Sequence, residues 1–298
     1  MPSQTMNQAV SVLFIVVFVS SLLGCVIFTL LLRRWVNFSI PLALACVFEI
    51  FGYGIRCSSV TGNLSAHMFV VVTILLTLAP SFVSLAMYMT IERTLQIIGK
   101  EHSLIDPGWY VYLIWSDLAG LAVQIVGLGL ALSGTSSTTR LGPDADSGAV
   151  VVAVGIGLHA ATLAVFMALF AVVLCQALTT YRQYGSRTTE VELGVAGSGR
   201  ALTHRFKGYL VIVILVVVCL LIRDLYRAIG LTQGFATTGA GQAMFALLDG
   251  FLVAEAVLGL AVFHPAWVLV DGYKPESERQ GKGGIGLGFH PSASSNFI

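Results

Sequence analysis

The sequence contains few charged residues, and this scarcity defines its class. Only 10% of the 298 residues are Asp, Glu, Lys or Arg, whereas a soluble domain carries about 25%. Hydrophobic residues make up 56% of the chain. The formal net charge is +1, so the composition gives no electrostatic reason to expect nucleic-acid binding. These numbers predict an integral membrane protein.

Several motifs with known chemistry are also missing. The chain has no GxxxxGK[ST] nucleotide-binding loop, no HExxH motif and no GxSxG motif. Its five cysteines form no CxxC pair and lie in or beside apolar runs, where cysteine behaves as a small hydrophobic residue. The last apolar run has no lysine, which excludes a retinal Schiff base of the rhodopsin kind. We therefore expect no enzymatic activity, no metal site and no bound cofactor.

Seven apolar runs are long enough to cross a bilayer as helices, which takes about 20 residues each. The predicted spans are 10–32, 39–56, 67–91, 110–132, 149–178, 208–229 and 242–263. The first is too long for a signal-peptide core and has no basic region before it, so we interpret it as a span. The predicted fold class is all-α, a seven-helix transmembrane bundle within residues 1–270. Residues 271–298 are rich in Gly and Ser and are predicted to form a disordered tail.

Lysine and arginine fall mainly on one side of the predicted bundle. Twelve lie in the first, third and fifth connections and the tail, against one, Arg140, in a loop on the other side. Because cytosolic loops are enriched in basic residues, the N-terminus is predicted to be outside and the C-terminus cytosolic. The connection Thr179–Lys207 is polar and is predicted to be a mobile cytosolic loop. The glycosylation sequon at Asn63 lies close to two predicted helix ends, and we expect it to be unmodified.

Ionisable and polar residues inside the predicted spans form the main functional signal. Arg223 and Arg227 lie four residues apart on one face of the sixth helix. Intramembrane ionisable groups are costly and usually have a function. Carboxylates at a similar depth would offset that cost, and we expect the pairs to form between helices. The candidate ligand or translocation site consists of Glu49, Tyr53, Arg56, Asp117, Gln124, Arg223, Tyr226, Arg227 and Asp249.

Alternatives exist for each part of this set. The charged residues could instead be ion pairs that only hold the bundle together. Asp117 and Gln124 either extend a polar path inward or hydrogen-bond neighbouring helices. Pro80 is predicted to kink the third helix and to act as a hinge. His159 is predicted to be a satisfied packing group rather than a ligand, and His264 an end-of-helix residue.

Short patterns along the chain, in this order and spacing, resemble those of the fungal RTA1-like family, also called lipid-translocating exporters. They are Glu49-x-x-Gly52-Tyr53-x-x-Arg56, Ala79-Pro80 with Ala86-x-Tyr88 and Arg93, Ser116-Asp117 with Gln124 and Gly127, Ile222-Arg223-x-x-Tyr226-Arg227 with Gln233-Gly234, Asp249, and Phe263-His264-Pro265. The resemblance covers nearly all seven spans. It implies translocation or export of phospholipids, sphingoid bases or sterol-like toxicants, with a role in lipid asymmetry or toxicant resistance. One branch of the family is associated with porphyrin or haem transport, which the resemblance therefore adds as a further candidate function.

Three positions depart from the family pattern. Gly230 and Gln242 stand where the family usually has Glu, and His159 stands where Gln is common. The loss of two carboxylates would leave the outer site more positive. This predicts a phosphate-bearing or otherwise anionic headgroup in preference to a sphingoid base.

The leading hypothesis is a membrane protein that moves lipid-like molecules without its own nucleotide-hydrolysing unit. The expected location is the plasma membrane, with the vacuolar or another endomembrane as the alternative. One rival is a seven-span receptor or sensor that signals through Thr179–Lys207. Another is a regulator of lipid transport with no flux of its own. The expected partner is a membrane lipid or lipid-like small molecule and not nucleic acid, while a homo-oligomer or a membrane-protein partner stays open.

Overall fold

The computed structural model describes residues 8–32, 35–58, 66–98, 102–133, 143–184, 204–232 and 242–269. Within these ranges all regular structure is helical, and seven helices are long and apolar enough to cross a membrane. The all-α class and the seven spans are therefore confirmed, and the chain is an integral membrane protein. The orientation of the termini stays a prediction. Asn63, Gln233, the tail 271–298 and residues 185–203 lie outside the described ranges.

The helix bounds follow the apolar runs, except that the third helix continues seven residues past its run and the fifth extends six residues beyond both ends. The first six helices are α1 Gln8–Leu32, α2 Val36–Ser58, α3 Ala66–Ile98, α4 Val111–Ser133, α5 Pro143–Tyr184 and α6 His204–Thr232. The seventh, α7, begins as an α-helical turn, Gln242–Phe245, passes through a π-helical segment, Ala246–Phe251, and continues as an α-helix, Leu252–Val262. A 3-10 turn, Pro107–Tyr110, precedes α4, and a short helix α8, Pro265–Val268, ends the described chain. Because α5 reaches Tyr184 and α6 begins at His204, both ends of the predicted loop Thr179–Lys207 are helical.

The seven long helices pack in a closed ring, and α3 also contacts helices across it. Each helix contacts its neighbours in chain order, and α7 also packs against α1. In addition to α2 and α4, α3 contacts α5, α6 and α7. One polar face of α3 is consequently covered by other helices: Thr73, Thr77, Ser81, Ser84 and Tyr88 are all buried at helical spacing.

Small residues bring α4 and α5 into close contact. A Cβ added at Gly155 would lie 2.6 Å from Cγ of Gln124 and 2.8 Å from the carbonyl oxygen of Gly120. A Cβ added at Gly127 would lie 2.6 Å from the backbone nitrogen of Val152. Close approach of helix backbones through small residues is the usual way in which membrane helices associate without a hydrophobic driving force. This contact fixes α5, and with it His159, against α4.

Replacing Gly155 with alanine is expected to destabilise the bundle by about 1–3 kcal/mol, because the new methyl group meets backbone atoms that cannot rotate away. Gly157, two residues along the same helix, has no atom within 4 Å of its added Cβ, so Gly157→Ala is a matched control. Thermal unfolding in detergent should show a lower midpoint for Gly155→Ala alone. Equal midpoints for the two variants would contradict the close α4–α5 contact.

His264 is the end-of-helix residue that the sequence predicts. Its Nδ1 accepts a hydrogen bond from the backbone N–H of Ala266 at 3.2 Å and so caps α8. Its Nε2 lies 3.2 Å from Oγ of Ser39, and the ring is completely buried between Phe28 and Phe38. These contacts tie the start of α8 to α1 and α2.

Candidate functional site

Arg223 is at the centre of the buried polar network. Its side chain is 1% exposed. Nε donates to Oδ1 of Asp249 at 3.1 Å, and one terminal nitrogen donates to Oδ1 of Asp224 at 3.2 Å. The other terminal nitrogen donates to the carbonyl oxygen of Leu76 at 2.5 Å. A guanidinium removed from water needs such partners on every side, because an unpaired buried charge costs several kcal/mol.

Pro80 makes the Leu76 carbonyl available to Arg223. In an α-helix the carbonyl of residue i accepts from the N–H of residue i+4, and Pro80 is four residues after Leu76. Proline has no N–H, so that carbonyl lacks its usual helical partner. A polar side chain from a neighbouring helix replaces it, as membrane helices require. The residue predicted as a hinge is thus connected to the arginine network through one freed backbone oxygen.

Arg227 and Asp249 join α6 to α7. Nε and one terminal nitrogen of Arg227 donate to the two carboxylate oxygens of Asp249, each at 2.5 Å, in a bidentate pair. Asp249 therefore accepts from both arginines, and the pairing predicted between helices is present. Asp249 lies in the π-helical segment Ala246–Phe251, and short π-helical segments inside α-helices often mark functional sites.

The network continues from Asp224 across the bundle to α4. Oδ2 of Asp224 lies 2.6 Å from Nδ1 of His159 on α5. Nε2 of His159 lies 3.0 Å from Oγ of Ser84 on α3, and that hydroxyl lies 2.6 Å from Oδ2 of Asp117 on α4. All four side chains are at most 2% exposed. Five helices are thereby linked through one chain of polar contacts, the relay, whose members are Arg227, Asp249, Arg223, Asp224, His159, Ser84 and Asp117.

The predicted residues of α2 lie at the Arg227–Asp249 end of the relay. Glu49 is 2% exposed and interacts electrostatically with Asp249 and both α6 arginines. The guanidinium carbon of Arg56 lies 3.9 Å above the ring of Phe245, and that of Arg227 lies 5.0 Å from the same ring. The ring of Phe245 is thus shared by two cations, a cation–π arrangement.

Two further aromatic residues of the predicted set lie at the same end. Tyr53 is completely buried, and its ring centroid is 4.9 Å from that of Phe14 on α1. Tyr226 is half-buried and interacts electrostatically with Arg227, Asp249 and Arg56. The two tyrosines therefore place hydroxyl groups near Arg56 and Arg227.

Gln124 is the predicted residue that the structure sets apart. It is 1% exposed and packs against Gly155 in the α4–α5 contact, about two helical turns from Asp117. Its Oε1 has no hydrogen-bond partner among the described residues. Both α4 residues were predicted either to extend a polar path or to hydrogen-bond neighbouring helices; Asp117 contacts Ser84 of α3 and belongs to the relay, whereas Gln124 does not.

Sequence reasoning missed His159, Ser84 and Asp224 as members of the site. Both ring nitrogens of His159 have partners, as expected of a satisfied histidine, but one partner is a carboxylate. Residues 84, 159 and 224 belong to three different helices, and no spacing in the sequence shows that they meet. One signal was available in the sequence. Asp224 is a carboxylate inside a predicted span and lies next to Arg223, which was already expected to pair with a carboxylate of another helix.

Several buried polar atoms are unpaired within the described part of the chain, and one of them belongs to a member of the relay. One oxygen of Asp117 has no hydrogen-bond partner, although the other accepts from Ser84. The hydroxyl groups of Tyr53, Thr77 and Ser81 are unpaired as well. Buried polar groups in native proteins nearly always have partners, so these unpaired groups need an explanation.

Comparison with known proteins adds an independent result. A family model described as "RTA1 like protein" matches residues 42–271. The chain is 25% identical over 264 residues to the sphingoid long-chain base transporter RSB1 of Saccharomyces cerevisiae, covering 80% of this chain and 66% of that protein. It is also 28% identical over 102 residues to Protein RTM1 of the same organism, covering 34% of this chain and 33% of that protein. The chain thus spans slightly less than two thirds of the length of RSB1. No solved structure matches it.

Proposed function

Because the chain belongs to the RTA1-like family, we propose that it translocates or exports lipid-like amphipathic molecules across a membrane. RSB1, the relative that aligns with most of the chain, is named as a transporter of sphingoid long-chain bases. That name supports a lipid-like cargo and a transporter in place of an enzyme. The predicted orientation, with the N-terminus outside, and a plasma-membrane location are part of this proposal.

The single observation that carries the proposal is the relay inside the bundle. Packing alone does not require such a network, because interhelical polar contacts in membranes contribute only about 0.6 kcal/mol each on average. The relay connects five helices through side chains that can exchange partners, and one oxygen of its member Asp117 and the hydroxyl groups of Thr77 and Ser81 on α3 are buried without a hydrogen-bond partner among the described residues. A lipid headgroup entering the bundle would find donors and acceptors there. The alternative role as ion pairs that only hold the bundle together leaves those unpaired atoms unexplained.

The α2–α6–α7 end of the relay is the proposed headgroup site. Arg56 and Arg227 flank the ring of Phe245, and Tyr226 lies beside them. Arginine binds phosphate through paired charge-assisted hydrogen bonds. Asp249 and Glu49 would stabilise the arginines when no cargo is bound, and a phosphate would compete with Asp249 for Arg227. The preference proposed here is for an anionic headgroup.

The receptor and regulator hypotheses predict a binding site without flux. A polar path that stops at mid-membrane would favour them. The relay runs from Arg227 to Asp117, and Tyr88, one helical turn after Ser84 on α3, interacts electrostatically with Asp117. This continuity supports transport.

The experiment that tests the proposal measures lipid movement between leaflets in vesicles that contain only the purified protein. Fluorescent phosphatidic acid, phosphatidylcholine and a sphingoid base are compared in separate vesicle preparations. We expect movement above that of empty vesicles, fastest for the phosphate monoester. Gly230→Glu restores a carboxylate that the family usually has and should shift the preference towards the sphingoid base. Folded protein that moves none of the three probes would overturn the proposal, and an unchanged preference in Gly230→Glu would overturn its headgroup assignment.

Pro80→Ala is expected to slow lipid movement severalfold without loss of stability. Alanine restores an N–H that donates to the Leu76 carbonyl, and it removes a proline whose cost inside a helix is about 3 kcal/mol. The restored N–H then competes with Arg223 for this carbonyl oxygen and weakens its hydrogen bond to α3. Flux in vesicles and thermal unfolding in detergent measure the two effects separately. Pro41→Ala in α2 is the matched control, since Pro41 is also a buried intrahelical proline but lies outside the relay. Unchanged flux in Pro80→Ala would contradict the proposed hinge.

A further inference from the structure

Three heavy-atom contacts in the relay need one more proton than a neutral histidine, a serine and two ionised carboxylates supply. The contacts are Asp117–Ser84 at 2.6 Å, Ser84–His159 at 3.0 Å and His159–Asp224 at 2.6 Å. Each is short enough for a hydrogen bond and therefore requires one hydrogen between its two atoms. A neutral imidazole supplies one N–H, the serine supplies one O–H, and two ionised carboxylates supply none. Two hydrogens cannot complete three hydrogen bonds.

One additional proton completes the set. If it resides on the imidazole, His159 donates from Nδ1 to Asp224 and from Nε2 to Ser84, and Ser84 donates to Asp117. If it resides on either carboxylate, the same three contacts are also satisfied. Without it, one contact brings two acceptors together and must open. The geometry of this segment therefore corresponds to the proton-loaded state.

The charges of the whole relay lead to the same requirement. Two guanidinium groups, on Arg223 and Arg227, face three carboxylates, on Asp249, Asp224 and Asp117. The relay is thus one positive charge short of neutrality until it takes up a proton. Unbalanced charge is costly in a buried site. Glu49 and Arg56 of α2, at the far end, balance one another when both are ionised.

We infer that His159, with Asp117 and Asp224, forms a proton-binding site whose loading is coupled to lipid movement. The inference rests on the proposed transport function and adds a source of energy to it. His159 is faced by Asp117 from α4, by Asp224 and Arg223 from α6, and by Ser84 from α3. Tyr88 of α3 interacts with both carboxylates. The nearest charged group of α7, Asp249, reaches the site through Arg223.

Arg223 provides the physical coupling between the proton site and the headgroup site. It donates both to Asp224, which contacts His159, and to Asp249, which holds Arg227. Loss of the proton makes the Asp224 side more negative and draws Arg223 towards it. Asp249 then loses one of its two cations, which changes the charge that a headgroup meets at Arg227. Uptake of a proton reverses this shift. One proton, taken from water on one side and released to water on the other, accounts for one cycle.

The test uses full-length protein in vesicles with a trapped pH-sensitive dye, a pH gradient and a fluorescent phosphatidic acid probe. The quantity measured is the final ratio of probe between the two leaflets. If one proton crosses with each lipid and the two together carry no net charge, a gradient of one pH unit supports a ratio of probe between the leaflets of up to about tenfold. The wild type should approach this ratio, move protons with the probe and return to an even distribution when an ionophore collapses the gradient. The lipid's own response to pH is subtracted using empty vesicles.

His159→Gln should lower the final ratio to one. A purely structural role of His159 would slow the approach to the final ratio without changing it, so the end point separates the two roles. Asp224→Asn and Asp117→Asn give the same readout if His159→Gln does not fold. His264→Asn removes another fully buried histidine while keeping an acceptor for the Ala266 N–H, and it should leave the ratio unchanged.

The outcomes distinguish this inference from the proposed function. Wild-type protein that moves the probe to an even distribution, with and without the gradient, overturns proton coupling and leaves lipid transport standing. A ratio that persists in His159→Gln and in both Asn variants overturns the assignment of the proton site. Wild-type protein that moves no probe of any headgroup defeats both proposals.

Discussion

Replacing Asp249 with alanine is expected to lower the free energy of unfolding by about 3–5 kcal/mol and to abolish lipid movement, because it leaves two buried arginines without their shared partner. Asp249 accepts from Nε of Arg223 and holds Arg227 through both of its oxygens. Asp249→Asn keeps the shape of the side chain but removes its charge, so its effect should be smaller and in the same direction. Thermal unfolding in detergent, followed by the fraction of protein that stays monodisperse, measures the change.

Glu255→Ala is the matched control for this prediction. Glu255 is also an acidic residue of α7, but it is only half-buried and interacts with Cys219 of α6 and not with the arginine pair. Its removal should change stability by less than about 1 kcal/mol, as expected of a partly exposed charge. Equal losses of stability in Asp249→Ala and Glu255→Ala would show that the arginine–carboxylate network stabilises the fold no more than a partly exposed charge does.

Replacing Arg223 with alanine is expected to reduce lipid movement to the level of empty vesicles. The change removes donors to Asp249, Asp224 and the Leu76 carbonyl at once and separates the two halves of the relay. Arg223→Lys keeps the charge, but a single ammonium cannot reproduce the planar fork that reaches three partners in different directions. We therefore expect Lys to restore stability in part and flux hardly at all.

Arg93→Ala is the control for the Arg223 variants. Arg93 is an exposed arginine near the end of α3, and it donates to Gln96 on the same helix. Its removal should leave both flux and stability close to the wild type. Flux in Arg223→Ala equal to that in Arg93→Ala, per molecule of folded protein, would contradict the role of the relay in transport.

The fold was largely predictable because the membrane restricts the structures that can cross it. A spanning segment must satisfy its backbone hydrogen bonds internally, so each long apolar run becomes a helix. The run 149–178 lies within α5, which continues to Tyr184 because a helix does not need to end where hydrophobicity ends. The orientation, by contrast, depends on a charge bias in connections that lie mostly outside the described residues.

The candidate site was predictable only where its members share a helix or a depth. Arg223 and Arg227 are four residues apart, and carboxylates of other helices were expected as their partners, so the pairing with Asp249 followed from the sequence. Ser84 and His159 were missed because their partners come from other helices, and a serine in a membrane helix carries no distinguishing signal. The link from Pro80 to Arg223 through Leu76 depends on a backbone atom, which the sequence does not single out.

The central claim is that this chain alone moves lipids between leaflets, and vesicles with a controlled number of copies test it most directly. The purified protein is reconstituted at increasing ratios of protein to lipid, and the fraction of vesicles in which an inner-leaflet phosphatidic acid probe becomes accessible is counted. Our account predicts that this fraction rises with the probability that a vesicle holds at least one functional unit, and that Arg223→Ala stays at the level of empty vesicles. A fraction that stays at that level for folded wild-type protein at every ratio, with phosphatidylcholine and sphingoid-base probes as well, would contradict it.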